Sequence, residues 1–277
     1  MAGLDPAALK RERQSANLTQ KELAKRSGVA YSTLTKLEQG IIPSPSVGAT
    51  QSLADAIGCM LSDLLSAAPI NIKKNSDIKF IYFDIGGVLI HWLPSVHAYA
   101  ERIDRPYNQV LKLFYENEQA LAKGNMTDED FKLLVALKLK LNMKDKAGEE
   151  AMKSWLADMR PILPAHNFLK ELTNHYPVGL ISNIAKGYFE NFVQLELVPK
   201  AKYKTIIKSC DIGHMKPEHE MFEIATQAAR VESAAILFID DSKVNVRAAE
   251  RFGWQAEWFD EYDPQKSIKQ LIAKYFS

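Results

Sequence analysis

The sequence predicts two folded units: a small all-α unit at the N-terminus, then a doubly wound α/β unit on a parallel sheet, into which a helix-rich stretch is inserted as a long crossover or an α-helical cap. Three observations carry this. The chain has 277 residues, more than one core usually organises. Residues 4–65 alternate short helical patterns with polar turns, and runs rich in β-branched and aromatic residues begin at Lys79. Those later runs are almost continuously apolar and separated by helical stretches, the pattern of a parallel sheet covered on both faces.

Composition narrows the class. Hydrophobic residues make up 47% and charged residues 25%, ordinary for a globular protein. The net charge of +1 gives no global field toward nucleic acid or membrane, so any DNA contact must rest on local charge. No apolar run approaches ~18 residues, and Met1–Lys10 has neither a charged lead nor an apolar segment. The two cysteines, Cys59 and Cys210, fall in separate units and match no zinc pattern. A cytoplasmic, reducing location without a membrane anchor follows as the expectation.

In the first unit, helices are expected over Pro6–Ser15, over Gln20–Arg26 with Thr19 as cap and Gly28 as stop, and from Tyr31 or Ser32 to Gln39 before Gly40. Leu9, Leu18, Leu23, Ala24, Val29, Leu34 and Leu37 fall on inward-facing spacings. Helices over Val47–Ile57 and Leu61–Leu65 complete a five-helix core over residues 1–66. Residues 67–78, with one Pro, two adjacent lysines and little periodicity, have a linker composition.

The run Leu18-Thr19-Gln20-x-Glu22-Leu23-Ala24-x-x-Ser27-Gly28-Val29, then Ser32-Thr33-Leu34-x-x-Leu37-Glu38-x-Gly40, then Leu53-Ala54-x-Ala56-Ile57-Gly58 closely resembles the phage-repressor-like (XRE/Cro/C1) helix-turn-helix family. The resemblance implies DNA as partner, met by a homodimer on a two-fold site, with the third helix entering the major groove. Gln20, at a helix start, is placed to present its amide and its backbone N–H to a phosphate. Tyr31, Ser32, Thr33 and Lys36 are of the types that touch base edges and phosphates. The resemblance also implies an internal Arg13–Glu38 ion pair. Seven Lys/Arg against six Asp/Glu in residues 1–68 is low for a DNA binder, so a protein-binding module is the alternative.

In the second unit, residues 79–277, strands are expected at Phe80–Phe83, Val178–Ile181, Thr205–Ile207 and Ala235–Ile239. The first two are about a hundred residues apart, far more than one crossover needs. The helix-rich stretch at about 92–160, with patterns over Asn108–Glu118 and Thr127–Leu141, reads either as an elaborate crossover or as a cap over the strand ends. Thr127 with Asp130 forms an N-terminal capping pattern.

A parallel sheet gathers the C-terminal ends of its strands. Asp84-Ile85-Gly86-Gly87 follows the first run, Ser182-Asn183 the second and Asp240-Asp241-Ser242-x-x-Asn245 the fourth, with Gly213-His214-Met215-Lys216-Pro217 before a helix. A carboxylate can attack phosphorus and form an aspartyl phosphate. Adjacent carboxylates repel unless a cation joins them. A lysine and a hydroxyl neutralise phosphoryl oxygens, and glycines let backbone N–H groups approach.

These four elements, in this order, resemble the four motifs of the haloacid dehalogenase (HAD) superfamily, over essentially all of residues 79–260. The resemblance implies a Rossmann-like sheet, Mg²⁺ as cofactor and a small phosphorylated metabolite as substrate. It implies Asp84 as nucleophile and metal ligand, the Gly86 carbonyl and Asp241 as further ligands with Asp240 supporting, and Gly87, Ser182, Asn183 and Lys216 on the phosphoryl group. Gly124–Phe131 looks like a cap segment of sugar-phosphate phosphatases.

One position departs from the pattern. Most phosphatases of the superfamily carry an acid-base Asp two residues after the nucleophile, where this chain has Gly86. Dehalogenases lack that Asp too, but also lack the acidic pair kept here as Asp240 and Asp241. Gly86 alone predicts a preference for good leaving groups, with His91 and His214 as alternative proton sources. Two functions remain: a working phosphohydrolase fused to a DNA-binding regulator, or a weak or inactive sensor that biases the DNA-binding unit.

Overall fold

The computed structural model describes residues 4–42, 45–59, 61–65, 70–153 and 155–277. The first unit contains α1 (Pro6–Ser15), α2 (Gln20–Ser27), α3 (Tyr31–Glu38), α4 (Val47–Ile57) and a 3-10 turn at Leu61–Leu64. Its boundaries follow local chemistry. Asp5 caps α1, and Thr19 and Glu22 form a reciprocal capping box on α2, which Gly28 ends in the left-handed region. Leu9, Leu18, Leu23, Leu34, Leu37, Leu53 and Leu64 fill a core separate from that of the second unit.

The second unit opens with β1 (Phe80–Phe83) and the short β2 (Ile90–His91). The cap helices α5 (Leu93–Arg102), α6 (Tyr107–Ala122), α7 (Asp128–Lys138) and α8 (Lys146–Ala151) follow, then β3 (Arg160–Pro161) and α9 (Leu163–Leu172). The rest is β4 (Val178–Ser182), α10 (Tyr188–Gln194), β5 (Thr205–Lys208), α11 (Ser209–Ile212), α12 (His219–Ala229), β6 (Ile236–Asp240), α13 (Lys243–Phe252), β7 (Gln255–Trp258) and α14 (Pro264–Tyr275).

The main sheet has the order β5-β4-β1-β6-β7, with every pair parallel. Alternate β1 residues serve opposite layers: Ile81 and Phe83 pack on one side, Phe80 and Tyr82 on the other. The first layer is continuous with the cap core through Val110, Phe131 and Trp155. The cap leaves and rejoins the sheet unit through antiparallel β2 and β3, Ile90 opposite Pro161 and His91 opposite Arg160. The inserted stretch is therefore a cap on a two-stranded stem rather than a crossover wound through the sheet.

Three features were not expected. β7 (Gln-Ala-Glu-Trp) is an edge strand with three of its four side chains partly exposed, so it lacks the apolar run that marks its neighbours. β2 and β3 have only two residues each. Of the linker expected over 67–78, residues 67–69 lie outside the described residues, and 70–78 is docked. Ile72 and Ile78 are buried, Lys73 N donates to Phe276 O at 2.9 Å, and Asn75 N donates to Tyr176 Oη at 2.6 Å. Lysines and a Pro gave this segment a linker's composition, but its two isoleucines are enough to anchor it. Among the described residues, both cysteines are free and no helix is long and apolar enough to cross a membrane.

Candidate active site

The C-terminal ends of β1, β4 and β6 converge as parallel pairing requires. Asp84 N donates to Ile239 O at 3.0 Å, placing the residue after β1 against the end of β6. Lys216 enters from the loop before α12. Its Nζ lies 2.8 Å from Asp84 Oδ1, 2.7 Å from Asp240 Oδ2 and 3.1 Å from Ile181 O. Lys216 is 1% exposed and Asp240 0%, so neither charge is stable there without the other. A cis peptide joins Lys216 to Pro217.

Asn183 secures that loop. Its Nδ2 donates to Lys216 O at 2.8 Å and its Oδ1 accepts from Lys216 N at 2.8 Å. Both ends of the Asn183 side-chain amide thus hold the lysine loop, so a phosphate contact from this residue would have to come from its backbone. Ser182 is buried at the end of β4 and lines the cavity beside Asp84 and Lys216.

Asp84, Asp240 and Asp241 each offer an oxygen, all within 4.8 Å of one another. Asp240 is fully engaged. Besides Lys216, it accepts from Ser242 N at 2.8 Å and from Asn245 Nδ2 at 3.1 Å. Its place is therefore to hold the cluster, and Asp84 and Asp241 remain for a cation. Burial pushes Asp84 up to about 6 against the pull of Lys216, with Asp240 adding to the rise. Burial also pushes Asp241 up to about 8, with Asp84 and Asp240 raising it and Lys216 opposing. Burial would lower the Lys216 pKa, but Asp240 and Asp84 outweigh it and raise it. Three carboxylates against one ammonium leave unbalanced negative charge on hard oxygen donors, which fits a magnesium ion.

Gly87 is corrected as well. Its N–H, expected to face phosphate, donates to Ile90 O at 2.8 Å. The need for glycine here is steric: φ is +70°, and a Cβ would lie 2.1 Å from Asp241 Oδ2. Gly86 does line the cavity.

The cavity between strand ends and cap has a volume of about 470 Å³. The cap and α10 line it with Trp92, Phe114, Tyr115, Trp155, Tyr188 and Phe192, and with one carboxylate, Glu118. Ring contacts such as Trp92–Phe114 at 5.6 Å, and a hydrogen bond from Trp155 Nε1 to Tyr188 Oη at 2.9 Å, fix this wall. Neither His91 nor His214 lines the cavity. His91 faces Glu261 at 3.3 Å and His214 faces Glu218 at 3.4 Å. Trp92 and Glu118 were not singled out in the sequence. Asn245 was visible in the motif without a role, which its bonds to Asp240 now supply.

In the helical unit, Arg13 Nε and Nη2 donate to Glu38 at 2.6 and 3.1 Å, joining α1 to α3. Gln20 Nε2 donates to Glu38 Oε2 at 2.8 Å, which commits the side-chain amide inside the unit and leaves the backbone N–H at the start of α2 for the expected phosphate contact. Tyr31, Ser32 and Lys36 on α3 are exposed, and Thr33 is half-buried.

Comparison with known proteins gives a helix-turn-helix family model matching residues 9–64 and a haloacid dehalogenase-like hydrolase model matching residues 78–253. D-ribitol-5-phosphate phosphatase of Bacteroides thetaiotaomicron is 25% identical over 207 residues, 66% of this chain and 96% of that protein. The HAD family enzyme BT-2542 of the same organism, solved with magnesium and inorganic phosphate, is 21% identical, with a TM-score of 0.52 over 66% of this chain and 94% of that one. An L-2-haloacid dehalogenase from Xanthobacter autotrophicus, solved with chloropropionic acid covalently bound, is 16% identical, with a TM-score of 0.52 over 72% of this chain and 84% of that one. An enzyme solved with magnesium and phosphate and a dehalogenase thus share the fold, and the chemistry must be argued from side chains.

Proposed function

Since the chain belongs to the haloacid dehalogenase-like hydrolase family and carries a helix-turn-helix segment at its N-terminus, we propose that residues 79–277 act as a magnesium-dependent phosphohydrolase on a small phosphorylated metabolite. Residues 1–66 would bind DNA as a homodimer in the cytoplasm. The observation that carries the hydrolase reading is the buried cluster of Asp84, Asp240, Asp241 and Lys216 at the strand ends, with three carboxylates on one ammonium. A halide displacement needs no cation, whereas this excess of carboxylates does.

In this reading Asp84 attacks phosphorus and the bond to the leaving oxygen breaks, giving an aspartyl phosphate that water then hydrolyses. Lys216 and the Ser182 hydroxyl neutralise the phosphoryl oxygens. Asn183 holds the Lys216 loop, and Asn245 and Ser242 hold Asp240. A magnesium ion held by Asp84, Asp241 and the Gly86 carbonyl would supply the charge that lets these carboxylates stay ionised beside a phosphate. The test is a magnesium-dependent phosphatase screen over sugar, nucleotide and acyl phosphates, run on the wild-type chain and Asp84→Asn. Turnover by wild type that Asp84→Asn abolishes supports the reading, and equal turnover by both removes it.

One contact favours the sensor reading as a second function. Arg160, on the strand where the chain leaves the cap, lies 3.8 Å from Glu12 of α1. A ligand that shifts the cap stem would thereby act on the helical unit, provided it binds two states with different affinity. Operator affinity of the full chain that is unchanged by magnesium with inorganic phosphate would argue against coupling.

A further inference from the structure

Gly86 leaves the site without the acid expected two residues after the nucleophile, and the cavity offers a replacement. A Cβ built at Gly86 would lie 3.5 Å from Trp92 Cδ1, so the indole roofs the space into which such a side chain would project. Both histidines lie off the cavity, paired with Glu261 and Glu218. Glu118, on α6 of the cap, lines the same cavity as Asp84, Lys216 and Asp241. Among the described residues it is the one carboxylate that the cap contributes to that wall, which it shares with Trp92, Phe114, Tyr115 and Leu121. Among the described residues no hydrogen bond or ion pair engages its carboxylate. Burial in this apolar wall raises its pKa above the usual carboxylate range, and the Lys216 charge, near enough to be felt, opposes the rise.

We propose that Glu118 is the general acid and base of this site, delivered from the cap in place of the side chain missing at Gly86. The proposal rests on the phosphohydrolase reading. In the first step an Asp84 oxygen bonds to phosphorus, the bond between phosphorus and the leaving oxygen breaks, and the Glu118 carboxylic acid gives that oxygen its proton. In the second, the Glu118 carboxylate takes a proton from the water that attacks phosphorus. The aspartyl–phosphorus bond breaks, inorganic phosphate leaves, and Asp84 and the Glu118 acid are restored. Unassisted departure, and the preference for good leaving groups that Gly86 alone implies, would then belong to a chain lacking Glu118.

The test uses the full chain with magnesium and a series of phosphate monoesters running from p-nitrophenyl through phenyl to alkyl leaving groups. The readout is kcat/KM, which reports phosphoenzyme formation. Glu118→Gln is expected to lower kcat/KM for alkyl phosphates by about 10²–10⁴-fold and to leave p-nitrophenyl phosphate within about tenfold, steepening the dependence on leaving-group pKa. The alkaline limb of the wild-type pH profile should also disappear, with Asp84, Asp241, Lys216, Tyr115 and Tyr188 as the remaining ionisable groups on the cavity. A uniform fall across the series, or none, overturns the role of Glu118. If Glu118→Gln does not fold, Glu118→Leu, which suits the apolar wall, is read in the same way. Asp84→Asn separates the two levels. Activity that survives it removes the phosphohydrolase reading itself, whereas activity lost with Asp84→Asn and an unchanged slope in Glu118→Gln removes only the acid.

Discussion

Two buried charge clusters, one in each unit, use the same kinds of residue and end in opposite states. In the helical unit, Arg13 and Gln20 donate three hydrogen bonds to Glu38. Burial alone would raise the Glu38 pKa, but those bonds outweigh it and hold it below the usual carboxylate range. In the α/β unit, Lys216 answers three carboxylates, and burial pushes Asp84 up to about 6 and Asp241 up to about 8. The contrast teaches that buried charge is not in itself a sign of function. A balanced cluster staples helices together, and an unbalanced one leaves charge that the proposed cation and phosphate would complete.

The largest expected effect tests the unbalanced cluster. Asp84→Asn should lower phosphatase turnover by about 10⁴-fold or more, and removing one of three like charges should leave the metal-free melting temperature unchanged or higher. Calorimetry showing a marked loss of stability would mean that Asp84 is structural. Next, Lys216→Met should destabilise the metal-free chain by about 3–5 kcal/mol, since it strands buried carboxylates. Arg13→Met should cost about 1.5–3 kcal/mol, the worth of charged hydrogen bonds. The reverse order in urea melts would break the comparison.

The two clusters should also respond to pH with opposite sign. Glu38, held low in the fold, contributes stability above its unfolded pKa and loses it as pH falls. Asp241, raised to about 8, holds its proton more tightly when folded, so the metal-free fold weakens as pH rises from about 4 toward that value. Magnesium competes with that proton. Its gain in melting temperature should therefore grow between about pH 6 and 8, and a gain that is flat or larger in acid contradicts the assignment. Smallest of all, Lys36→Ala should reduce the salt dependence of DNA binding by about one unit of slope and leave hydrolysis unchanged. Filter binding at several salt concentrations reads this.

What was legible in the sequence follows a physical line. The strands β1, β4 and β6 carry unbroken apolar runs buried on both faces, and their ends present Asp84, Ser182 and Asp240 in one place by topology alone. Gly28 and the Thr19–Glu22 box mark helix ends because capping is local. What was not legible depends on side-chain direction across long separations. The Asn183 side chain bonding to Lys216, the Gln20 amide turning inward to Glu38, and the Gly87 N–H satisfied by Ile90 are partners that residue type does not disclose. Glu118 lies within a long amphipathic helix that also carries Glu116, nothing in the sequence marks one above the other, and the packed cap shows that Glu118 meets the cavity.

The most direct measurement of the central claim is a rapid quench of the full chain during turnover with magnesium and a phosphate ester, followed by peptide mass mapping. A phosphoryl group on Asp84, absent from Asp84→Asn, is the predicted result. A phosphoryl group on another residue, or steady turnover by Asp84→Asn with none, would contradict it.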